Sequence, residues 1–134
     1  MTRYAEVELD GVLYTLNFSV AAFISLADRF GGNPQAIIRA IRPEESSTAN
    51  AILEPSVMRN TLDMAAVLIE HGSKYRRLCD GVECPTMSAD ELGCLSLPNY
   101  IKLYTAVISA LTASNTRQIE AESDLKNAGA TQGN

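Results

Sequence analysis

The Asp10-Gly11 pair, set among Val7, Leu9, Val12, Tyr14 and Leu16, is the tightest local constraint in the chain. Both central residues of a type I′ turn need positive φ, which Gly and Asp accept, and strands alternating around such a pair close into a two-residue hairpin. The next stretch extends the same unit. Ser19 stands where an N-cap accepts a hydrogen bond from the first helical turn, and Phe18 and Phe23 have the spacing of a hydrophobic staple. A helix is therefore predicted from Val20, with Phe23, Ile24, Ala27 and Phe30 as its inward stripe and Gly31 supplying the left-handed conformation that ends helices. An isolated hairpin is marginal in water, so this one is expected to pack on that stripe or to pair with another chain.

Helical signals dominate the remainder. Asn33-Pro34 reads as a cap followed by a first-turn proline, Ile37, Ile38 and Ile41 form the apolar side, and Pro43 is expected to stop that helix. Glu44 to Asn50 is polar and small, and a mobile loop is predicted over about 43–54, with Ala51-Ile52-Leu53 a short helical or extended piece inside it. Met58, Leu62, Ala65, Leu68 and Ile69 mark a central helix ending at Gly72, broadened by Val57, Met64, Ala66 and Val67. Asp80-Gly81 marks a turn. Ser88 and Glu91 form a capping box for a short helix from Ala89 to about Leu95, with Met87 as its staple. The last long helix begins at Ser96-Leu97-Pro98 and is expected to bury Leu97, Ile101, Tyr104, Val107 or Ile108, and Leu111, a face widened by Tyr100 and Leu103. The fold class this implies is mostly α (α+β): an N-terminal hairpin packed on a bundle of about five helices in one domain over residues 1–117. Residues 118–134 are expected to be a fraying helix end and a disordered tail, since the final eight residues hold no large apolar side chain.

Charge and hydropathy narrow the function classes. With 134 residues the chain can bury a core without help from a cofactor, and no apolar run reaches the roughly 18 residues of a membrane span. No basic-then-apolar leader opens it, so a cytoplasmic protein is expected. The net charge of −5 arises mainly between residues 43 and 72, where Glu44, Glu45, Glu54, Asp63 and Glu70 meet only Arg59. Elsewhere the signs nearly balance. A chain without a basic face lacks what non-specific phosphate contact needs, so nucleic acid is not an expected partner. The two short helices around Gly31-Gly32-Asn33 have the outline of a helix-turn-helix, but the second carries only Arg39 and Arg42. A small DNA-binding regulator is thus the weakest of the alternatives.

Catalytic and metal chemistry find little support. His71, Cys79, Cys84 and Cys94 could supply three thiolates and an imidazole, yet zinc sites usually hold a close ligand pair, and only Cys79 and Cys84 come near that spacing. Buried thiols acting as small hydrophobes are the simpler reading, and His71 beside Gly72 reads as a helix-end residue. There is no phosphate-cradling glycine loop and no nucleophile–base set. No enzyme, cofactor or metal is expected. Lys74, Arg76 and Arg77 make the basic cluster of the chain, as expected near a helix C-terminus.

The run from Glu8 to Gly32, with Gly11, Tyr14, Leu16, Phe18 and Gly31 in place, resembles the opening of the tail assembly chaperones of long-tailed phages and prophages: a short strand, a turn glycine, Tyr-x-Leu-x-Phe, then a helix ending in Gly. The central helix with Met64-Ala-Ala-Val-Leu-Ile-Glu-His-Gly72 and the later capped helices are consistent with that family over most of residues 4–115. The resemblance implies a mostly α, self-associating protein that binds the tape measure protein, helps tail tube subunits polymerise around it and is absent from the finished virion. It also implies the host cytoplasm as the place of work, and a longer frameshifted form whose junction would fall near Ser123 to Asn134. A structural head–tail or tail-completion protein kept in the particle is the alternative. A client-covering chaperone gains from repetition, and head-to-tail repetition needs two complementary patches. The acidic Glu44, Glu45 and Glu54 with Ile52 and Leu53, and the basic Lys74, Arg76 and Arg77 with Tyr75, are the candidate pair.

Overall fold

The structure is a computed structural model that describes residues 4–42 and 49–113, apart from the side chains of 49 and 50. Pro43, Glu44 and Glu45, with the rest of the first half of the expected loop, and the tail beyond 113 lie outside the described residues. The hairpin forms as its turn pair requires: β1 (Ala5–Leu9) and β2 (Val12–Leu16) run antiparallel with Leu9 opposite Val12 and Val7 opposite Tyr14. Asp10 and Gly11 take φ of 51° and 83°. Alternation then sorts the side chains, so that Val7, Leu9, Tyr14 and Leu16 enter the core while Glu6 and Glu8 stay exposed.

α1 (Val20–Phe30) starts where predicted, with Ser19 Oγ accepting from the Ala22 N–H at 3.2 Å and the Phe18 and Phe23 rings meeting edge to face at 6.1 Å. Its inward face differs from the expected stripe. Ala22 and Leu26 are buried, Phe23, Ala27 and Phe30 are partly covered, and Ile24 is 57% exposed. At about 100° per residue the five covered positions share one arc, and position 24 falls well outside it. Gly31 ends the helix, but at φ 125° and ψ 154° it is in an extended positive-φ region and not the left-handed helical well. α2 (Pro34–Arg39) is capped by Asn33 Oδ1, which accepts from the Ala36 N–H at 2.9 Å. It closes before Pro43 is reached, and side chains take up the carbonyls that follow: Asn60 Nδ2 donates to Ala40 O and the Tyr104 hydroxyl to Ile41 O.

A 3-10 turn (Ala49–Leu53) leads into the central element, α3 (Pro55–Tyr75). The predicted stop at Gly72 is overturned: α3 runs on to Tyr75, continues as one π-helical turn (Arg76–Asp80), and ends at Gly81 in the left-handed conformation. Gly72 serves a different purpose. It faces the Thr15 carbonyl so closely that a Cβ there would lie 2.0 Å from the oxygen, while one turn earlier Leu68 O accepts from the Asn17 N–H at 3.0 Å. The end of β2 is thereby covered by a helix. The irregular segment after Gly81 returns across the hairpin, where Ser73 Oγ donates to Cys84 O and Thr15 Oγ1 to Cys84 Sγ.

The reciprocal capping box of Ser88 and Glu91 starts α4 (Ala89–Leu92), which stops sooner than the expected Leu95 and buries Leu92. α5 follows over 97–113, with Ser96 Oγ accepting from the Asn99 N–H. Its buried line is Tyr100, Leu103, Ala106, Val107, Ala110 and Leu111, whereas Leu97 and Ile101 are 56% and 42% exposed. The short side chains of Ala106 and Ala110 let that side approach the core, which turns Leu97 and Ile101 outward. Over the described residues the result is a two-stranded hairpin and five helices, about two-thirds helical and one-tenth strand, as the fold-class expectation had it. No helix among the described residues is long and apolar enough to cross a membrane.

Candidate functional site

α3 has 21 residues and is therefore about 30 Å long, with Ile52, Leu53 and Glu54, the described part of the predicted acidic patch, before its first turn and the basic cluster at its far end. The basic end is largely committed within the chain. Lys74 Nζ is 3.1 Å from Glu70 Oε2, and the Tyr75 ring packs on Tyr4 at 5.8 Å between centroids. The Arg76 guanidinium lies over the Tyr4 ring at 4.9 Å, with Nε 2.8 Å from Asp80 Oδ2 and Nη1 3.7 Å from Glu6 Oε2. These contacts tie the start of β1 to the end of α3. Arg77 remains exposed, and the apolar groups offered beside it are not Tyr75 but Leu78, 80% exposed on the π-helical turn, and Val82.

At the other end Ile52 is half-buried, its carbonyl accepting from the Tyr100 hydroxyl at 2.6 Å, while Leu53 and Glu54 are exposed. Tyr100 belongs to the same helix as Leu97 and Ile101, which adds two outward apolar side chains to the α5 segment that holds this end. Sequence reasoning placed Leu97 and Ile101 in the core. The signal that could have corrected it is the alanine pair 106 and 110, four residues apart on the side that packs. Leu78 and Val82 were passed over because they flank a glycine turn with no helical period.

Among the described residues no group of three or more His, Cys, Asp or Glu side chains is placed to hold a metal ion. The expectation of buried thiols is corrected, since Cys79 and Cys94 are exposed and Cys84 is half-buried. His71 lies inside α3 and does not cap it. Burial first and Lys74 second hold its pKa below the ordinary histidine value, against the opposing pull of Glu70. Burial raises Tyr100 and Tyr104 above the ordinary tyrosine value, partly opposed by a hydrogen bond with Thr61 in the first case and by Arg42 in the second.

The described residues thus define a small α+β domain with two chemically different patches at the ends of its central helix. Comparison with protein-family models, curated proteins and solved structures gives no match to this chain.

Proposed function

We propose that this chain is a tail assembly chaperone of a long-tailed phage or prophage. It binds the tape measure protein in the host cytoplasm, assists polymerisation of the tail tube around it and is left out of the finished particle. The observation that carries the reading is the Glu8–Gly32 unit, whose resembling residues each have a definite place in the fold. Gly11 makes the turn, Tyr14 and Leu16 fill the core, Phe18 staples α1 and Gly31 ends it. The two end patches supply a route to self-association, with Leu53 and Glu54 of one copy meeting Arg77 and Leu78 of the next. That contact is heterologous and repeats along a rod-like client.

Co-expression with a tape measure protein and a tail tube protein of the same phage tests the proposal. The chain should co-purify with the tape measure protein, keep it soluble and be missing from purified particles. Retention at stoichiometric level in particles would assign the chain to the tail-completion class instead. A tape measure protein that stays equally soluble without it would remove the chaperone role.

A further inference from the structure

The two edges of the hairpin are treated differently by the rest of the fold. α3 covers the end of β2, through Gly72 against Thr15 and a bond from Asn17 N–H to Leu68 O, and among the described residues no element other than β2 is hydrogen-bonded along β1. In the observed register Leu9–Val12, Val7–Tyr14 and Ala5–Leu16 are the hydrogen-bonded pairs of a two-residue hairpin, so the N–H and C=O groups of Glu6 and Glu8 point away from β2. Among the described residues no backbone group bonds to them. Beside this edge runs an open groove of about 490 Å³, bounded by Ala5 and Val7 and, across from them, by Lys102, Thr105, Ala106 and Ser109 of α5. Apart from Lys102, the helix lines it with short side chains, which leave room for a neighbouring backbone. An added strand lies about 4.8 Å from its neighbour, and the groove borders that side of β1.

We infer that the β1 edge docks an extended segment of a partner protein as a third strand, with Val-sized side chains turned toward Thr105, Ala106 and Ser109 and Lys or Arg on the other face. Main-chain bonds to Glu6 and Glu8 give such a contact its affinity, and alternate side chains give it specificity. The requirement for basic residues comes from the exposed face, where Glu6 and Glu8 stand two residues apart. Residues directly opposite on a new strand sit about 5 Å away, so basic ones are favoured and acidic ones repelled. Glu6 already has Arg76 at 3.7 Å, while Glu8 has no ion pair among the described residues. The same geometry disfavours a second copy: antiparallel pairing of β1 with β1 about Val7 sets Glu6 opposite Glu8. The inference does not depend on the proposed assembly role.

The test uses the full chain and a fluorescent peptide of about eight residues alternating Val and Lys, the length of a long edge strand, with a Val–Glu peptide as control. Glu8→Pro removes one outward N–H without touching the hairpin's own bonds, and proline is accepted on edge strands. Ser109→Trp fills the groove from the helix side, and Glu8→Lys reverses the unpaired charge. Circular dichroism checks that each variant is folded. The Val–Lys peptide should bind, with the Val–Glu peptide and all three variants weaker by about tenfold or more, equivalent to about 1.4 kcal/mol. If Glu8→Pro does not fold, Ser109→Trp and Glu8→Lys decide. No binding, equal binding of the two peptides, or binding indifferent to Ser109→Trp and Glu8→Lys overturns the inference. So does a parent dimer in sedimentation that Glu8→Lys dissolves, because the edge would then belong to a second copy.

Discussion

A methyl group on Gly72 would collide with the Thr15 carbonyl, and neither partner is free to give way, since one is helix backbone and the other strand backbone. Gly72→Ala should therefore push α3 off β2 and lower stability by about 3 kcal/mol, the upper part of the range for overpacking a well-fitted core. Urea unfolding measures it. Gly32→Ala is the matched control, for a Cβ at position 32 meets nothing within 4 Å and the backbone there is not at positive φ. That variant should be neutral or slightly stabilised, because it only reduces the freedom of the unfolded chain. The contrast also explains why Gly72 was misread from sequence. A glycine at the end of an apolar stripe is the ordinary sign of a helix stop, and only the strand packed against it, more than fifty residues earlier in the chain, gives it another meaning. Arg76 is misread for the same reason, since Glu6 and Tyr4 come from the far end of the chain.

Between elements, the hydroxyls of Tyr100 and Tyr104 hold the two chain segments that flank the stretch between α2 and the 3-10 turn, one at Ile52 O and the other at Ile41 O. Tyr100→Phe and Tyr104→Phe should each cost about 1–2 kcal/mol, the loss of one hydrogen bond with a carbonyl left poorly satisfied. A pH signature accompanies them. Both tyrosines have folded pKa values raised above the ordinary 10.0, chiefly by burial, so the folded state holds these protons more tightly than the unfolded one. Stability from this source is fully present below pH 10 and is lost as pH rises through the folded values. His71 acts at the other end of the scale: its folded pKa lies below 6.5, so its share is present above pH 6.5 and lost as pH falls. Unfolding followed from pH 5 to 11 should show both flanks, with the alkaline one shallower in the Phe variants and the acid one shallower in His71→Gln. The elements themselves were legible where their signals are local. Asp10-Gly11, Ser19, Asn33-Pro34 and the Ser88–Glu91 box all act on partners within four residues, and each forms as expected. What could not be read is rotation. Ile24, Leu97 and Ile101 fit a helical period as well as their buried neighbours do, and which side of α1 or α5 turns inward depends on helices and strands that the period does not name.

At the scale of the molecule, the separation of Leu53 and Glu54 from Arg77 and Leu78 by the length of α3 bears on the proposed self-association. Patches side by side would favour a closed, two-fold pairing, whereas patches about 30 Å apart at the two ends of one helix favour a contact that repeats from copy to copy. The side chains available for it are Leu53 and Glu54 at one end and Arg77, Leu78 and Val82 at the other. Arg76 is a poor probe of that contact, because Arg76→Glu would set an acid beside Glu6 and Asp80 and lose the Tyr4 stacking, weakening the fold itself. Arg77→Glu and Leu78→Ser leave those internal contacts alone. Sedimentation of the parent should show self-association that weakens between about 0.05 and 0.5 M salt, as exposed charges are screened within about 10 Å at 0.1 M. Opposite charges orient such a contact more than they hold it, so Leu78→Ser should reduce association at every salt concentration, and Arg77→Glu mainly at low salt. Mixing Arg77→Glu with Glu54→Lys supplies the decisive arm: the two reversed patches are complementary to each other, so the mixture should associate more strongly than either variant alone. A parent that sediments as a monomer at all salt concentrations, or variants that associate as well as the parent, would leave the head-to-tail contact without support.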